Sequence, residues 1–67
     1  MKLLFIGDIV GRAGRKMLNE QLDRIIDRQM IDLVVANGEN AAAGYGLTVP
    51  VMRELFAAGV DVVTSGN

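Results

Sequence analysis

Four acidic or amide side chains that stand beside or near glycines form the candidate chemical site of this 67-residue chain. They are Asp8, Glu39, Asn40 and Asn67. Carboxylate and carboxamide oxygens are hard ligands that suit Mg²⁺, Mn²⁺ or iron, and one carboxylate can bridge two cations. Two such ions, about 3.5–4 Å apart, would clamp a phosphoryl group and make hydroxide at neutral pH. The residue types therefore predict a two-metal site for phosphoryl chemistry.

Each of these polar groups follows a predicted strand. The run from Lys2 to Ile6 is almost entirely apolar and is followed by Gly7 and Asp8. Such a run is typical of a parallel strand covered on both faces. A second run, from Ile31 to Ala36, leads into Glu39 and Asn40. A third run contains Val60, Val62 and Val63 and leads towards Asn67. The pattern predicts three strands that all end in polar residues.

Two helices are predicted between the strands. After a glycine-bearing turn at residues 11–14, apolar residues recur at helical spacing at Leu18, Leu22 and Ile25. Thr48 can cap a second helix that ends at Gly59. Met17, Met30 and Met52 are predicted to fill the core.

Alternating strands and helices predict an α/β fold with a βαβαβ parallel sheet. Because right-handed crossovers place the carboxyl ends of parallel strands at one edge, we expect the polar clusters to meet there. No internal repeat is evident. We expect residues 1–67 to be the amino-terminal part of a single domain, truncated after the third strand.

Composition narrows the function classes. Seven Lys and Arg against eight Asp and Glu give a formal charge of −1, which offers no basic surface for a nucleic-acid partner. The absence of histidine excludes His-based acid or base catalysis by these residues. No apolar run approaches the roughly 18 residues of a membrane span, so we expect a cytoplasmic protein without a membrane partner.

The motifs resemble those of a known family. The sequences Gly-Asp-Ile-Val-Gly at residues 7–11, Asn-Gly-Glu-Asn-Ala-Ala at 37–42 and Gly-Asn at 66–67 are similar to the first three motifs of the YmdB-like branch of calcineurin-like metallophosphoesterases. This resemblance implies a four-layer sandwich of which the chain supplies the βαβαβ part. It also implies that Asp8 and Asn40 hold one metal, that Glu39 bridges both metals, and that Asn67 holds the second.

The same resemblance implies a hydrolase with two divalent or trivalent ions, iron or manganese. Its expected substrates are 2′,3′- and 3′,5′-cyclic nucleotides, which are small-molecule phosphodiesters attacked by hydroxide from the two-metal site. The family's proton-donor histidine would come just after Asn67, and further histidines would complete the metal shells. We therefore expect residues 1–67 alone to be inactive, and the whole enzyme to be a homo-oligomer.

Two other readings stay open. The glycines at residues 11–14 can belong to a non-catalytic nucleotide-binding module that cradles phosphate without metal. Their spacing matches neither common nucleotide fingerprint. Alternatively, the chain is a structural fragment that pairs through exposed strand edges.

Overall fold

The computed structural model describes residues 1–41 and 47–65. Its elements follow the order β1 (Leu3–Asp8), α1 (Gly11–Gln29), β2 (Leu33–Asn37), α2 (Val49–Ala58) and β3 (Val62–Thr64). The three strands form one parallel sheet in the order β1-β2-β3. The predicted α/β architecture is therefore confirmed.

Strand β2 lies at the centre of the sheet and pairs with both neighbours. Asp8 is the register partner of Asn37, which is in turn the partner of Thr64. The register between β1 and β2 shifts between Ile6 and Asp8, so β1 carries an irregularity just before its last residue. The three strand ends consequently lie side by side.

Both helices lie on one face of the sheet, since α1 and α2 contact each other and flank the same buried residues. The inward-facing residues of β2 are Val34 and Ala36, which are fully buried under the helices. Eight apolar residues make up this core: Ile9, Leu22, Val34, Ala36, Ala41, Val51, Leu55 and Val60. Burial of this one layer supplies the main hydrophobic stabilisation of the described residues.

The opposite face of the sheet is open in the described part of the chain. Leu3 is 55% exposed and Phe5 is 65% exposed, although both lie in β1. Coverage of the first strand on both faces was the expectation from its continuous apolar pattern. Residues 1–41 and 47–65 supply a cover on the helix side alone.

The glycine-bearing segment at residues 11–14 belongs to the start of α1, and Gly11, with a φ of 60°, makes the predicted turn from β1 into the helix. Helix α1 begins at Gly11, so the four residues form its first turn. A Cβ atom on Gly14 would lie 3.2 Å from Ile9 Cγ2, so the missing side chain lets the helix start close to the end of β1. This close packing outweighs the low helix propensity of glycine.

Each helix ends in a left-handed turn that leads directly into the next strand. Met30 has a φ of 54° and Gly59 a φ of 120°. The amide of Ile31 donates to Ile26 O at 3.0 Å, and the amide of Val60 donates to Leu55 O at 3.1 Å. These are the hydrogen bonds of a Schellman motif. The predicted end of α2 at Gly59 is confirmed, as is the Thr48 cap, whose Oγ1 accepts from the Val51 amide at 3.3 Å.

An aspartate follows each of these turns and joins the incoming strand to its neighbour. Asp32 Oδ2 accepts from the Lys2 amide at 2.6 Å, and Asp61 Oδ2 accepts from the Val34 amide at 2.8 Å. The two helix-to-strand connections therefore repeat one local geometry that was not evident as a sequence repeat. They also explain why β2 and β3 begin at Leu33 and Val62, two residues later than predicted.

Two predicted core methionines are exposed. Met17 is 68% exposed and Met30 is 79% exposed, so the prediction was wrong for both. Met30 occupies the left-handed position that ends α1, where its side chain leaves the apolar stripe of the helix. Local backbone geometry, which the helical spacing does not report, decides its exposure.

Neither helix of the described residues combines the length and apolar character needed to cross a membrane.

Replacing Met30 with glycine should stabilise the protein. A non-glycine residue at positive φ costs about 1–2 kcal/mol, and the greater freedom of glycine in the unfolded chain offsets part of that gain. We expect the free energy of unfolding, measured with urea on the protein at its natural length, to rise by about 0.5–1 kcal/mol. The matched variant is Gly59→Ala, whose Cβ would lie 2.9 Å from Ile26 Cδ1 at a φ of 120°. It should destabilise, and a Met30→Gly protein that is less stable than the parent would contradict this account.

Candidate functional site

The carboxyl ends of the three strands form the edge at which the predicted site residues gather. The amide of Ile9, just beyond β1, donates to Asn37 O at 3.1 Å. The amide of Gly38, just beyond β2, donates to Thr64 O at 2.8 Å. Backbone pairing thus continues to the last residue of each strand and fixes the starting points of the loops that follow.

Asp8 and Asn40 are in direct contact at this edge. Asn40 Nδ2 donates to Asp8 Oδ1 at 3.2 Å and to Oδ2 at 3.0 Å, across 32 residues of sequence. Asp8 is exposed and Asn40 is half-buried, so the pair faces solvent. The prediction that the first and second polar clusters meet at one edge is confirmed for these two residues.

The side-chain oxygens of this pair suit a hard cation, but the Asn40 carboxamide presents its nitrogen, and not its oxygen, to Asp8. Nδ2 of Asn40 faces the carboxylate, as an N–H group should when its neighbour is an anion. To share a cation with Asp8, Asn40 would have to present Oδ1, which requires a half-turn about its Cβ–Cγ bond. After this rotation the two side chains would offer oxygen atoms of the kind that hard metal ions bind.

Glu39 lies in the same loop, one residue before Asn40, and is half-buried. Its amide donates to Asn37 Oδ1 at 3.0 Å, so Asn37 closes a turn with its side chain. With the residues that the structure describes, the Glu39 carboxylate forms no hydrogen bond or ion pair. The carboxylate therefore has no protein partner among residues 1–41 and 47–65 that competes with a cation.

Asn67 lies outside the described residues, so the structure places only three of the four predicted ligands. Within residues 1–41 and 47–65, no group of three or more His, Cys, Asp or Glu side chains is arranged to hold a metal ion. The contact that the structure shows is between Asp8 and Asn40, and Glu39 precedes Asn40 in the same loop. The full set of four ligands stays a prediction.

Helix α1 holds the loop that carries Glu39 and Asn40. The amide of Gly11 donates to Asn40 O at 3.0 Å, and Nη1 of Arg15 donates to Ala41 O. Arg15 Nε also lies 2.7 Å from Glu54 Oε2 in α2. Nε forms no hydrogen bond with the described residues, so its contact with Glu54 is an ion pair.

Sequence reasoning missed Arg15 as a member of the site and gave no structural role to Asn37. The Asn37 turn carries a local signal, because an asparagine followed by glycine favours such a side-chain turn. Arg15 carries none, since its bond to Ala41 spans 26 residues.

The glycines at the start of α1 do not form an open phosphate cradle. The amide of Gly11 is used by Asn40 O, and the amide of Gly14 donates to Val10 O at 3.2 Å. A phosphate-binding loop needs backbone amides that point to the ligand. The geometry of these two amides gives the metal-free nucleotide-binding reading no support.

The fold is that of a parallel α/β protein, with Asp8, Glu39 and Asn40 at or just beyond the carboxyl ends of its strands. Open sheets of this class commonly bind ligands at that edge. Within that class, the family model of YmdB-like proteins matches residues 4–67. The chain therefore belongs to the YmdB-like family.

Comparisons with individual proteins agree with this assignment. The chain is 42% identical over 67 residues to a 2′,3′-cyclic-nucleotide 2′-phosphodiesterase of Bacillus subtilis, and covers 100% of itself and 25% of that protein. A crystal structure of a novel phosphatase of Mycoplasma pneumoniae matches 100% of this chain and 24% of its own length, with a TM-score of 0.94 and 37% identity.

A crystal structure of a hypothetical protein from Thermus thermophilus is 49% identical and has a TM-score of 0.85, over 94% of this chain and 24% of that one. The chain thus spans about a quarter of the length of the relatives it matches.

Replacing Gly38 with alanine should disturb the loop that carries Glu39 and Asn40. The added Cβ would lie 2.9 Å from Val63 Cγ1, and the β-branched valine cannot easily move away. We expect a loss of about 1–3 kcal/mol in the free energy of unfolding, measured with urea on the protein at its natural length.

The matched control is Gly7→Ala, because a Cβ at Gly7 meets nothing within 4 Å. This variant should stay within about 0.5 kcal/mol of the parent. Equal stability of the two variants would show that the loop does not require a glycine at position 38.

Proposed function

We propose that the protein at its natural length is a metal-dependent phosphodiesterase that hydrolyses cyclic nucleotides. The observation that carries the proposal is the contact of Asp8 with Asn40 at the carboxyl edge of the sheet, with Glu39 on the same loop. Membership of the YmdB-like family supports it, as does the similarity to a 2′,3′-cyclic-nucleotide 2′-phosphodiesterase. The proposed substrates are the 2′,3′- and 3′,5′-cyclic forms.

The proposed ligands of two ions, iron or manganese, are Asp8, Glu39, Asn40 and Asn67. When bound, such ions stabilise the charge of a phosphoryl group and lower the pKa of water. Asp8 and Glu39 would supply the negative charge that holds them. Asn40 would add a neutral oxygen after its carboxamide turns away from the Asp8 carboxylate, which leaves a site with fewer charges than a purely acidic one.

The resemblance to the family implies histidines as the remaining ligands and as the proton donor, and these would lie outside these 67 residues, which contain none. We therefore propose that residues 1–67 by themselves have negligible turnover. We further propose a cytoplasmic homo-oligomer that acts on small phosphodiesters without a nucleic-acid or membrane partner. The formal charge of −1, which offers no basic surface, supports the absence of a nucleic-acid partner.

Replacing Asp8 with asparagine should abolish most of the activity. The change removes one charged ligand, and we expect the rate of 2′,3′-cyclic AMP hydrolysis in Mn²⁺ to fall by about 100-fold or more. This loss is at or above the range for residues that contact a metal ligand but not the metal itself. The assay uses the protein at its natural length, with residues 1–67 alone as an inactive comparison.

Asp23→Asn removes the same charge from the exposed surface of α1 and serves as the control, which should keep full activity. A parent protein that works equally fast after complete removal of metal would refute the metal-dependent mechanism. Parallel assays with 3′,5′-cyclic AMP decide whether both classes of substrate are used.

Replacing Asn40 with aspartate should make stability depend more strongly on metal. In the presence of a chelator, the variant lacks the hydrogen bonds from the Asn40 amide to Asp8, and the new carboxylate repels the carboxylate of Asp8. The free energy of unfolding should therefore fall by about 1–2 kcal/mol. Added Mn²⁺ should raise the melting temperature more in this variant than in the parent, because the site gains a charged ligand.

Gln21→Glu adds the same charge on an exposed position of α1 and is the control for net charge. If Mn²⁺ shifts all three melting temperatures equally, Asn40 does not lie in a metal site.

A further inference from the structure

We propose that Arg15 is a positioning residue that holds the segment of Glu39 and Asn40 at the edge of the sheet. The inference rests on the proposed function, because it takes these two residues as metal ligands. Arg15 is not proposed as a ligand or a catalytic group. Its contacts are with a backbone carbonyl beside the ligands and with a carboxylate of the neighbouring helix.

Arg15 is a largely buried charge that connects three parts of the fold. Its side chain is 17% exposed, and it extends from α1 to Ala41 O and to Glu54 of α2. Glu54 is held in turn by Asn19, whose Nδ2 donates to Glu54 Oε1 at 3.2 Å. The guanidinium holds Nη1 and Nε in one rigid plane, so a single side chain can donate to Ala41 O and place its positive charge beside Glu54.

The contact with Ala41 matters because this residue directly follows Asn40. Ala41 is fully buried, so its carbonyl needs a hydrogen-bond partner within the protein. Arg15 supplies that partner, while Gly11 supplies the partner of the preceding carbonyl at Asn40. Helix α1 therefore fixes two consecutive carbonyls of the segment that presents the ligands.

Fixing this backbone limits where the Asn40 side chain can reach. Its Nδ2 lies 3.0 Å from Asp8 Oδ2, which leaves little tolerance for movement of the loop. The loss of a residue that contacts a metal ligand, but not the metal, typically lowers metal affinity or activity by about 10–100-fold. Arg15 is placed to act in this way through the backbone.

The experiment compares three variants with a control in the protein at its natural length. Arg15→Met removes both contacts, and Arg15→Lys keeps the charge but lacks the planar guanidinium. Glu54→Gln removes the ion pair while leaving the hydrogen bond from Arg15 to Ala41 O. Lys16→Met changes an exposed neighbour whose side chain is 76% exposed, and it is the control. Mn²⁺ affinity is measured by calorimetry, and amide hydrogen exchange is measured for residues 36–41 and 20–29 without metal.

Arg15→Met should weaken Mn²⁺ binding by about 10–100-fold, with a smaller loss in Arg15→Lys. Exchange in residues 36–41 should become faster, while exchange in the second half of α1 at residues 20–29 should not change. Glu54→Gln should lower the melting temperature, with a much smaller effect on Mn²⁺ affinity. Lys16→Met should match the parent in Mn²⁺ affinity and in amide hydrogen exchange.

The proposal is overturned if the Arg15 variants bind Mn²⁺ as tightly as the parent, or if exchange rises equally in both segments, which would indicate general loosening. If Arg15→Met does not fold, Arg15→Lys decides the question by the same two measurements. If the parent binds no Mn²⁺, the proposed function fails instead. Exchange in residues 36–41 then still reports whether Arg15 holds the loop.

Discussion

Parallel pairing of β2 with both of its neighbours is the interaction on which the candidate site depends. Asp8, Asn37 and Thr64 are partners in register, so the loops after all three strands start from adjacent points. Asp8 and Asn40 are 32 residues apart in sequence and meet because this register places them at one edge. A shift of the register would separate them and expose the buried face of β2.

The helices support this edge from one side of the sheet. The close approach at Gly14 brings the first turn of α1 near the end of β1, where Gly11 and Arg15 contact the backbone of the loop after β2. The loop is therefore fixed from the core side, while the side chains of Asp8 and Asn40 face outward. A rigid backbone with outward-facing polar groups is the arrangement that a ligand site needs.

Family membership and partial length together define what these residues contribute. The chain belongs to the YmdB-like family and spans about a quarter of the relatives it matches. Its sheet leaves Leu3 and Phe5 exposed on the face without helices. Large apolar side chains that are exposed together on a sheet are typical of a surface that packs against other protein.

The sequence by itself determined the order of the elements, the helix cap at Thr48, the helix end at Gly59 and the family, because periodicity, capping and short motifs are local properties. Tertiary structure decided that Gly11 begins a helix, that Met30 is exposed, that Arg15 reaches Ala41, and that the Asn40 amide faces Asp8. These features arise from contacts between distant residues or from one left-handed backbone position. The energies of the contacts between distant residues depend on which surfaces meet, and a local sequence pattern does not report this.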